Sequence, residues 1–315
     1  MAQSVKQLTK YGLYALVLIG VGVAAVNYLS GEAFLRALGA FNWTLAPLIL
    51  GLTVVYVLLK GWRFKVFLAP LSELGRWIIL RVYLAGQVAT LLPAGGAARV
   101  AVLGEVGVPL PKAGAAVLFA SLTDQFILVA GIFFCALWFE EARLPALVAL
   151  FVLVGVGGLL AVKAIRVRLL EAAAWLAEKA HLKKKWQAFQ EAFSEGITLG
   201  VVLRGLGFTA AAFALMPLAL HLALKGFSLE VPPTTILLAY VLPTLLGRVS
   251  SLPAGLGVTE ASMVGILSAV PGVDENVAAA AVAVFRVGTV FFAALFGGVF
   301  YLFGGVRGDV EATQS

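Results

Sequence analysis

The sequence predicts an all-α integral membrane protein, on three observations. Of its 315 residues 62% are hydrophobic and only 12% charged, with a mean hydropathy of +1.02; a soluble domain carries about twice that charged fraction. The apolar runs approach or exceed the roughly 20 residues that a helix needs to cross a hydrocarbon core, and none has the short alternation of a transmembrane β-strand. A Pro-Gly break also occurs twice, because Leu92-Pro93-Ala94-Gly95-Gly96 returns 160 residues later as Leu252-Pro253-Ala254-Gly255-Leu256-Gly257. Together these predict about six full transmembrane helices plus two re-entrant, Pro/Gly-broken hairpins, or eight spans if the hairpins cross.

Taken in order, residues 1–10 carry Lys6 and Lys10 and precede an apolar run over 11–29. The run is long and no small-residue cleavage pattern follows it cleanly, so a retained first span is expected rather than a signal peptide. A second span over 43–59 is followed by a basic cluster of Lys60, Arg63, Lys65, Arg76 and Arg81. The arms of the first break, 78–92 and 97–108, would be about 22 and 18 Å long at 1.5 Å per residue, short for a crossing. The third span, 113–139, holds Asp124 near its middle, and the fourth covers 144–162.

Residues 163–195 are amphipathic. Ile165, Leu169, Ala173 and Leu176 recur at helical spacing against Lys179, Lys183, Lys184 and Lys185, which predicts a basic cytoplasmic helix or helical hairpin on the membrane surface. The fifth span covers 199–224, the second pair of arms 234–252 and 258–270, and the last span 276–303, with Arg286 in its interior.

Seventeen Lys and Arg then fall on one side of the membrane, and only Arg36, Arg143 and Lys225 on the other. The positive-inside rule puts both termini in the cytoplasm, and the expected location is a prokaryotic plasma membrane. Spans one, two, broken pair and three recur in the same order as spans four, five, broken pair and six. Each unit has an odd number of spans, so a single transmembrane domain is expected in which residues 11–139 and 144–304 form an inverted-topology repeat. The two Pro-Gly tips would approach each other near the midplane. Non-helical backbone at that depth needs protein or water around it, because an unpaired N–H or C=O in lipid costs several kcal/mol.

The intramembrane charges follow the same repeat. Asp124 lies 32 residues beyond Leu92 and Arg286 lies 34 beyond Leu252. A charge at the bilayer centre costs about 2.5 to 3.5 kcal/mol on insertion scales, so both should face the interior. They are expected to pair with each other, to bind a charged headgroup through one or both, or to do both if the pair opens during transport. Arg99, Arg248 and Glu260 lie near the tips. Arg99 near a helix start is unfavourable unless an anion binds there, and a phosphate would meet both the N–H groups and the guanidinium. Gln87, Thr90, Tyr83, Tyr240 and Ser250 are candidates for the same cavity. The substrate-binding candidates are therefore Arg99, Asp124, Arg248, Glu260 and Arg286, with Pro93, Gly95, Gly96, Pro253, Gly255 and Gly257 as hairpin tips.

Other classes are disfavoured. Cys135 is the only cysteine, so no disulfide forms within the chain. No His or carboxylate cluster suggests a metal, no phosphate-binding Gly-rich loop suggests ATP, and no nucleophile and base pair suggests an enzyme. No cofactor is expected. The net charge of +7 is assigned to a membrane face, not to nucleic acid.

The stretch Leu252 to Glu260, Leu-Pro-Ala-Gly-Leu-Gly-Val-Thr-Glu, followed by Gly272 and Arg286, resembles the Pro-x-x-Gly-x-Gly-x-x-Glu stretch and downstream Arg of the lysylphosphatidylglycerol synthase transmembrane-region, or flippase-like, family. Members are similar to the flippase domain of the bacterial multiple peptide resistance factor. In the first half Gly96, Arg99 and Asp124 match the family pattern, whereas Ala97 replaces a Glu, and Ala120 and Ser121 replace a Glu-Arg pair. The resemblance covers almost the whole chain. It implies movement between leaflets of a polar-headgroup lipid: a phospholipid, an aminoacyl-phospholipid or a polyprenyl-phosphate glycolipid.

The expected partners are membrane lipids, anionic phospholipid or lipid-linked phosphate above all. A second reading is a non-transporting accessory subunit of a lipid-modifying or glycosyl-transferring enzyme, recruited through the basic segment. Aminoacyl transfer is not expected of this chain, because no soluble domain follows Phe303 within it.

Overall fold

Apolar helices that satisfy their own backbone and pack through small residues form a bundle, and helices are the only regular elements among the described residues. The computed structural model describes residues 32–87, 95–161, 163–179, 182–195, 198–250 and 252–303. The expected first span and the tip residues Leu92, Pro93 and Ala94, together with Thr90, lie outside them.

The helices in chain order are α1 (Glu32–Gly39), α2 (Ala46–Leu68), α3 (Arg76–Ala85), α4 (Gly95–Glu105), α5 (Leu110–Cys135), α6 (Glu140–Ala161), α7 (Lys163–Lys179), α8 (Lys183–Glu195), α9 (Leu199–Lys225), α10 (Pro233–Val249), α11 (Val258–Ser268), α12 (Glu275–Arg286) and α13 (Phe292–Phe303). Four stretches are long and apolar enough to cross a membrane: Trp43–Leu71, Leu110–Cys135, Leu199–Lys225 and Glu275–Phe300. They correspond to the expected second, third, fifth and last spans, and α6 to the fourth.

The second span differs from its expected extent. The hydropathy pattern bounds it at residue 59, where Lys60 follows, yet α2 continues through Lys60 and Arg63 to Leu68. Both cations are buried, with Arg63 only 1% exposed. The helix continues because Trp62, Phe64, Phe67 and Leu68 keep supplying apolar surface, and because the two cations find a carboxylate inside the bundle. They are therefore not loop charges and do not bear on orientation.

The bundle is apolar on its outside as well as in its core, and it buries a few charges that a soluble protein would expose. Leu48, Leu122, Phe126, Phe151, Leu203 and Leu295 are exposed, whereas Lys60, Arg63, Asp124 and Arg286 are buried. Helices α2 and α9 pack along much of their length, α5 packs on both, and α12 lies against α9. Residues 163–195 form two helices, α7 and α8, and α8 docks on α5. Phe189 approaches Gly114, and Ala192 is buried in the same apolar cluster as Ala113 and Val117.

The arms of the second break form a short hairpin. Helix α10 has 17 residues and α11 only 11, about 26 and 17 Å at 1.5 Å per residue, and they pack on each other. Their connection turns through residues 253–255, where Ala254 has φ 51° and Gly255 φ 68°. Gly255 sits against the other arm: a Cβ there would lie 2.8 Å from the Cα of Gly247. Glycine at this position thus serves both the left-handed backbone and the close approach.

Gly255→Ala should therefore destabilise the hairpin by about 1 to 2 kcal/mol from backbone strain alone, with steric cost added. Ala254→Gly removes a left-handed Cβ at the expense of chain entropy and should be neutral or slightly stabilising. Thermal unfolding of the detergent-solubilised variants, followed by tryptophan fluorescence, checks both signs.

Candidate functional site

Two buried ionic clusters meet a shared cavity. The first is built on one stripe of α2. Tyr56, Lys60 and Arg63 are spaced four and three residues apart, so they share a face directed at α5 and α9. The Lys60 ammonium lies 2.9 Å from Oδ2 of Asp124 and donates to the Tyr56 hydroxyl at 3.1 Å. The Arg63 guanidinium pairs with Oδ1 of the same carboxylate.

Arg63 also faces the hydroxyls of Thr209 at 3.3 Å and Thr123 at 3.5 Å. Each threonine donates its own proton to a carbonyl of its helix, Thr209 to Gly205 and Thr123 to Ala120. Their lone pairs are thereby left for the guanidinium. Asp124 thus joins α2 to α5, and Arg63 extends the link to α9.

The second cluster ties the hairpin turn to the last long helix. Arg286, at the end of α12, lies 2.5 Å from Oε1 of Glu260 and donates to the carbonyl of Ala254 at 2.9 Å. The other Glu260 oxygen accepts the N–H of Gly257 at 2.7 Å, capping the start of α11, where a carboxylate also complements the helix dipole. Just beyond Arg286 the helix widens into a π-turn over Val287–Phe291, a distortion frequent at functional sites. The Thr53 hydroxyl contacts the Gly288 carbonyl at 2.8 Å and that of Ile49 at 3.0 Å, helping to hold the distorted segment to α2.

These contacts correct one expectation. Asp124 and Arg286 do not pair with each other: Lys60 and Arg63 satisfy Asp124, and Glu260 takes Arg286. The near-equivalent sequence positions of Asp124 and Arg286 did not anticipate that each would find a closer partner in its own half of the chain.

Between the clusters lies a cavity of about 660 Å³ whose lining includes Lys60, Arg99, Asp124, Arg248 and Arg286. Arg99 stands over the Tyr83 ring, 5.4 Å from its centroid, with its guanidinium 3.5 Å from the Gln87 carbonyl oxygen. Arg248 approaches Oδ2 of Asp124 at 3.7 Å and donates to Gln125 at 3.3 Å. Its side chain is 31% exposed against 10% for Asp124, so it is the more open of the two toward the cavity.

Of the expected site residues, Arg99, Asp124, Arg248 and Arg286 line this one space, with Gly255 from the tip, while Glu260 stands behind Arg286. Gly95 and Gly96 fall in the first turn of α4, Pro253 starts the hairpin turn and Gly257 precedes α11. Tyr83, Gln87 and Tyr240 also line the cavity, and Ser250 does not. Lys60 and Arg63 were missed as site residues; the signal was the stripe Thr53, Tyr56, Lys60, Arg63, Phe67, whose helical spacing runs on past the first charge. Among the described residues no group of three His, Cys, Asp or Glu could hold a metal.

A family model described as the lysylphosphatidylglycerol synthase TM region matches residues 12–297. The chain belongs to that family. Among curated proteins none matches it. Membership in the lysylphosphatidylglycerol synthase TM family makes the chain a membrane domain related to lipid handling, in keeping with its long apolar helices. In α5 Ala120 is buried in packing and Ser121 lines the cavity, its hydroxyl donating to the Val117 carbonyl at 2.9 Å.

Removing Asp124 strands two buried cations. Asp124→Ala should cost about 3 to 5 kcal/mol, the range for breaking a buried pair from one side. Asp124→Ala combined with Lys60→Met should recover part of that loss, because one stranded charge is removed with it. Equilibrium unfolding of the purified variants in mixed micelles measures the difference.

Proposed function

We propose that this chain is a lipid flippase or scramblase that moves a polar-headgroup lipid between leaflets through the central cavity. The headgroup, that of a phospholipid, an aminoacyl-phospholipid or a polyprenyl-phosphate glycolipid, passes over Arg99, Arg248 and Arg286 while the acyl chains stay in the bilayer. The observation that carries this reading is the hairpin turn of α10 and α11 held against Arg286 at the edge of a cation-lined cavity. Two arms too short to cross in comfort meet there at a polar turn, the kind of break that lets a transporter expose backbone and charge without exposing either to lipid.

In this reading α10 and α11 form one re-entrant hairpin and the chain around Pro93 supplies its counterpart from the other face, the two being related by the inverted repeat of residues 11–139 and 144–304. Both termini face the cytoplasm of a prokaryotic cell, and the chain sits in its plasma membrane. Arg286 has two tasks. It neutralises Glu260 and braces the Ala254 carbonyl, so its loss both frees a carboxylate into the path and loosens the turn.

The accessory-subunit reading draws on a different surface, the exposed Lys183, Lys184 and Lys185 at the start of α8. Attraction to anionic lipid, about 1 kcal/mol per cation, accounts for such a cluster without a protein partner.

Reconstitution into liposomes with headgroup-labelled lipids tests translocation. The wild-type protein should expose inner-leaflet label to a membrane-impermeant quencher, and Arg286→Ala should slow that exposure at least tenfold at equal protein incorporation. No exposure by the wild type across a panel of anionic, zwitterionic and aminoacylated lipids, or equal rates for both proteins, sinks the reading. Stoichiometric co-purification of an enzyme that is lost when Lys183, Lys184 and Lys185 are neutralised would favour the accessory role.

A further inference from the structure

The cavity carries an imbalance of charge that bears on what it holds. Among the described residues, Lys60, Arg63, Arg99, Arg248 and Arg286 stand in or directly behind its wall, against only Asp124 and Glu260, an excess of three positive charges. Every oxygen of both carboxylates already has a partner. Oδ2 of Asp124 takes Lys60 and Oδ1 takes Arg63; Oε1 of Glu260 takes Arg286 and Oε2 takes the Gly257 N–H. Neither has an oxygen left without a partner for a ligand ammonium.

The cations are not all matched in the same way. Among the described residues Arg99 meets only the Gln87 oxygen at 3.5 Å and the face of Tyr83 and, unlike Arg63 and Arg286, pairs with no carboxylate; its Nε is buried without a hydrogen-bond partner. Arg248 is the third cation on a carboxylate already held at both ends, at 3.7 Å. Two guanidinium groups with spare donors on one cavity suit an acceptor that takes bidentate hydrogen bonds and brings more than one negative charge.

Resting on the transport reading for the identity of the site, we infer that the headgroup bound here is a lipid-linked phosphomonoester or diphosphate, and that headgroups bearing an ammonium are disfavoured. A phosphodiester brings a single negative charge and leaves the excess largely in place. A phosphomonoester brings close to two at neutral pH, and a diphosphate at least two. An aminoacyl ester of lysine is net cationic and would add to the excess, and its ammonium groups would compete with Lys60, Arg63 and Arg286 for the two carboxylates. Asp124 and Glu260 accordingly set the positions of Lys60, Arg63 and Arg286 and do not themselves bind the headgroup.

Competition binding to the detergent-purified protein, read by native mass spectrometry, tests this. The probes are dioleoylphosphatidic acid, dioleoylphosphatidylglycerol, lysylated dioleoylphosphatidylglycerol and sodium pyrophosphate. Phosphatidic acid should bind at least tenfold tighter than phosphatidylglycerol, with the lysylated lipid weakest. Arg99→Gln and Arg248→Gln should each remove about tenfold of the phosphatidic acid affinity and shrink its preference, while Arg99→Lys, which keeps the charge if the glutamine variant fails to fold, should preserve the order.

Binding of the lysylated lipid as tight as phosphatidic acid overturns the inference, as does an unchanged preference in the Arg99→Gln, Arg248→Gln double variant. Displacement of phosphatidic acid by equimolar pyrophosphate overturns the lipid source. The two readings fail separately. A protein that binds in the expected order yet moves no lipid keeps this assignment and loses transport, and one that moves lipid but prefers the lysylated form does the reverse.

Discussion

The structure depends on one carboxylate. Asp124 sits between Lys60 and Arg63 and receives both, and through it the long helices α2 and α5 are held face to face. Three charges in the middle of an apolar bundle are tolerable only as a set, because each alone would carry the cost of a charge in hydrocarbon. The Thr123 and Thr209 hydroxyls complete the set by presenting lone pairs to Arg63. Such a network adds little net stability over apolar packing, yet it fixes which faces of the helices meet.

The second cluster plays a corresponding part for the hairpin. Glu260 caps α11 and pairs with Arg286, and Arg286 reaches the Ala254 carbonyl. A turn with two left-handed residues and an abrupt helix start leaves polar backbone exposed. One arginine and one glutamate supply it with partners. The polar turn, the π-turn after Arg286 and the cavity are thus adjacent for a physical reason: irregular backbone inside an apolar bundle needs polar partners, and the Glu260 and Arg286 pair supplies them at the cavity wall.

Much of the candidate site was legible beforehand because charges in apolar runs are costly enough to be conspicuous. Asp124, Arg248, Glu260 and Arg286 could be singled out without knowing their neighbours, and the structure gathers them, with Arg99, in or beside one cavity. Their pairing was not legible. An Asp and an Arg at matching places in two halves suggest each other, but a pair forms by distance and access, and Lys60 and Arg63 approach from a helix whose end was misjudged. The error has a simple origin: a lysine in a linear hydropathy reading marks water, whereas a lysine with a buried carboxylate beside it does not.

By itself the sequence determined the all-helical membrane class, the approximate extents of three of the four long apolar helices that the structure describes and the start of the other, the Pro-Gly turn at residues 253–257 and the family. All of these follow from local composition and spacing. Only the tertiary structure decided that α2 runs on to Leu68, that Asp124 belongs to Lys60 and Arg63, and that every oxygen of both carboxylates has a partner while Arg99 and Arg248 keep donors to spare. Charge balance inside a bundle is a property of which helix faces meet, and that is set by packing between segments up to 235 residues apart, as Thr53 and Gly288 are.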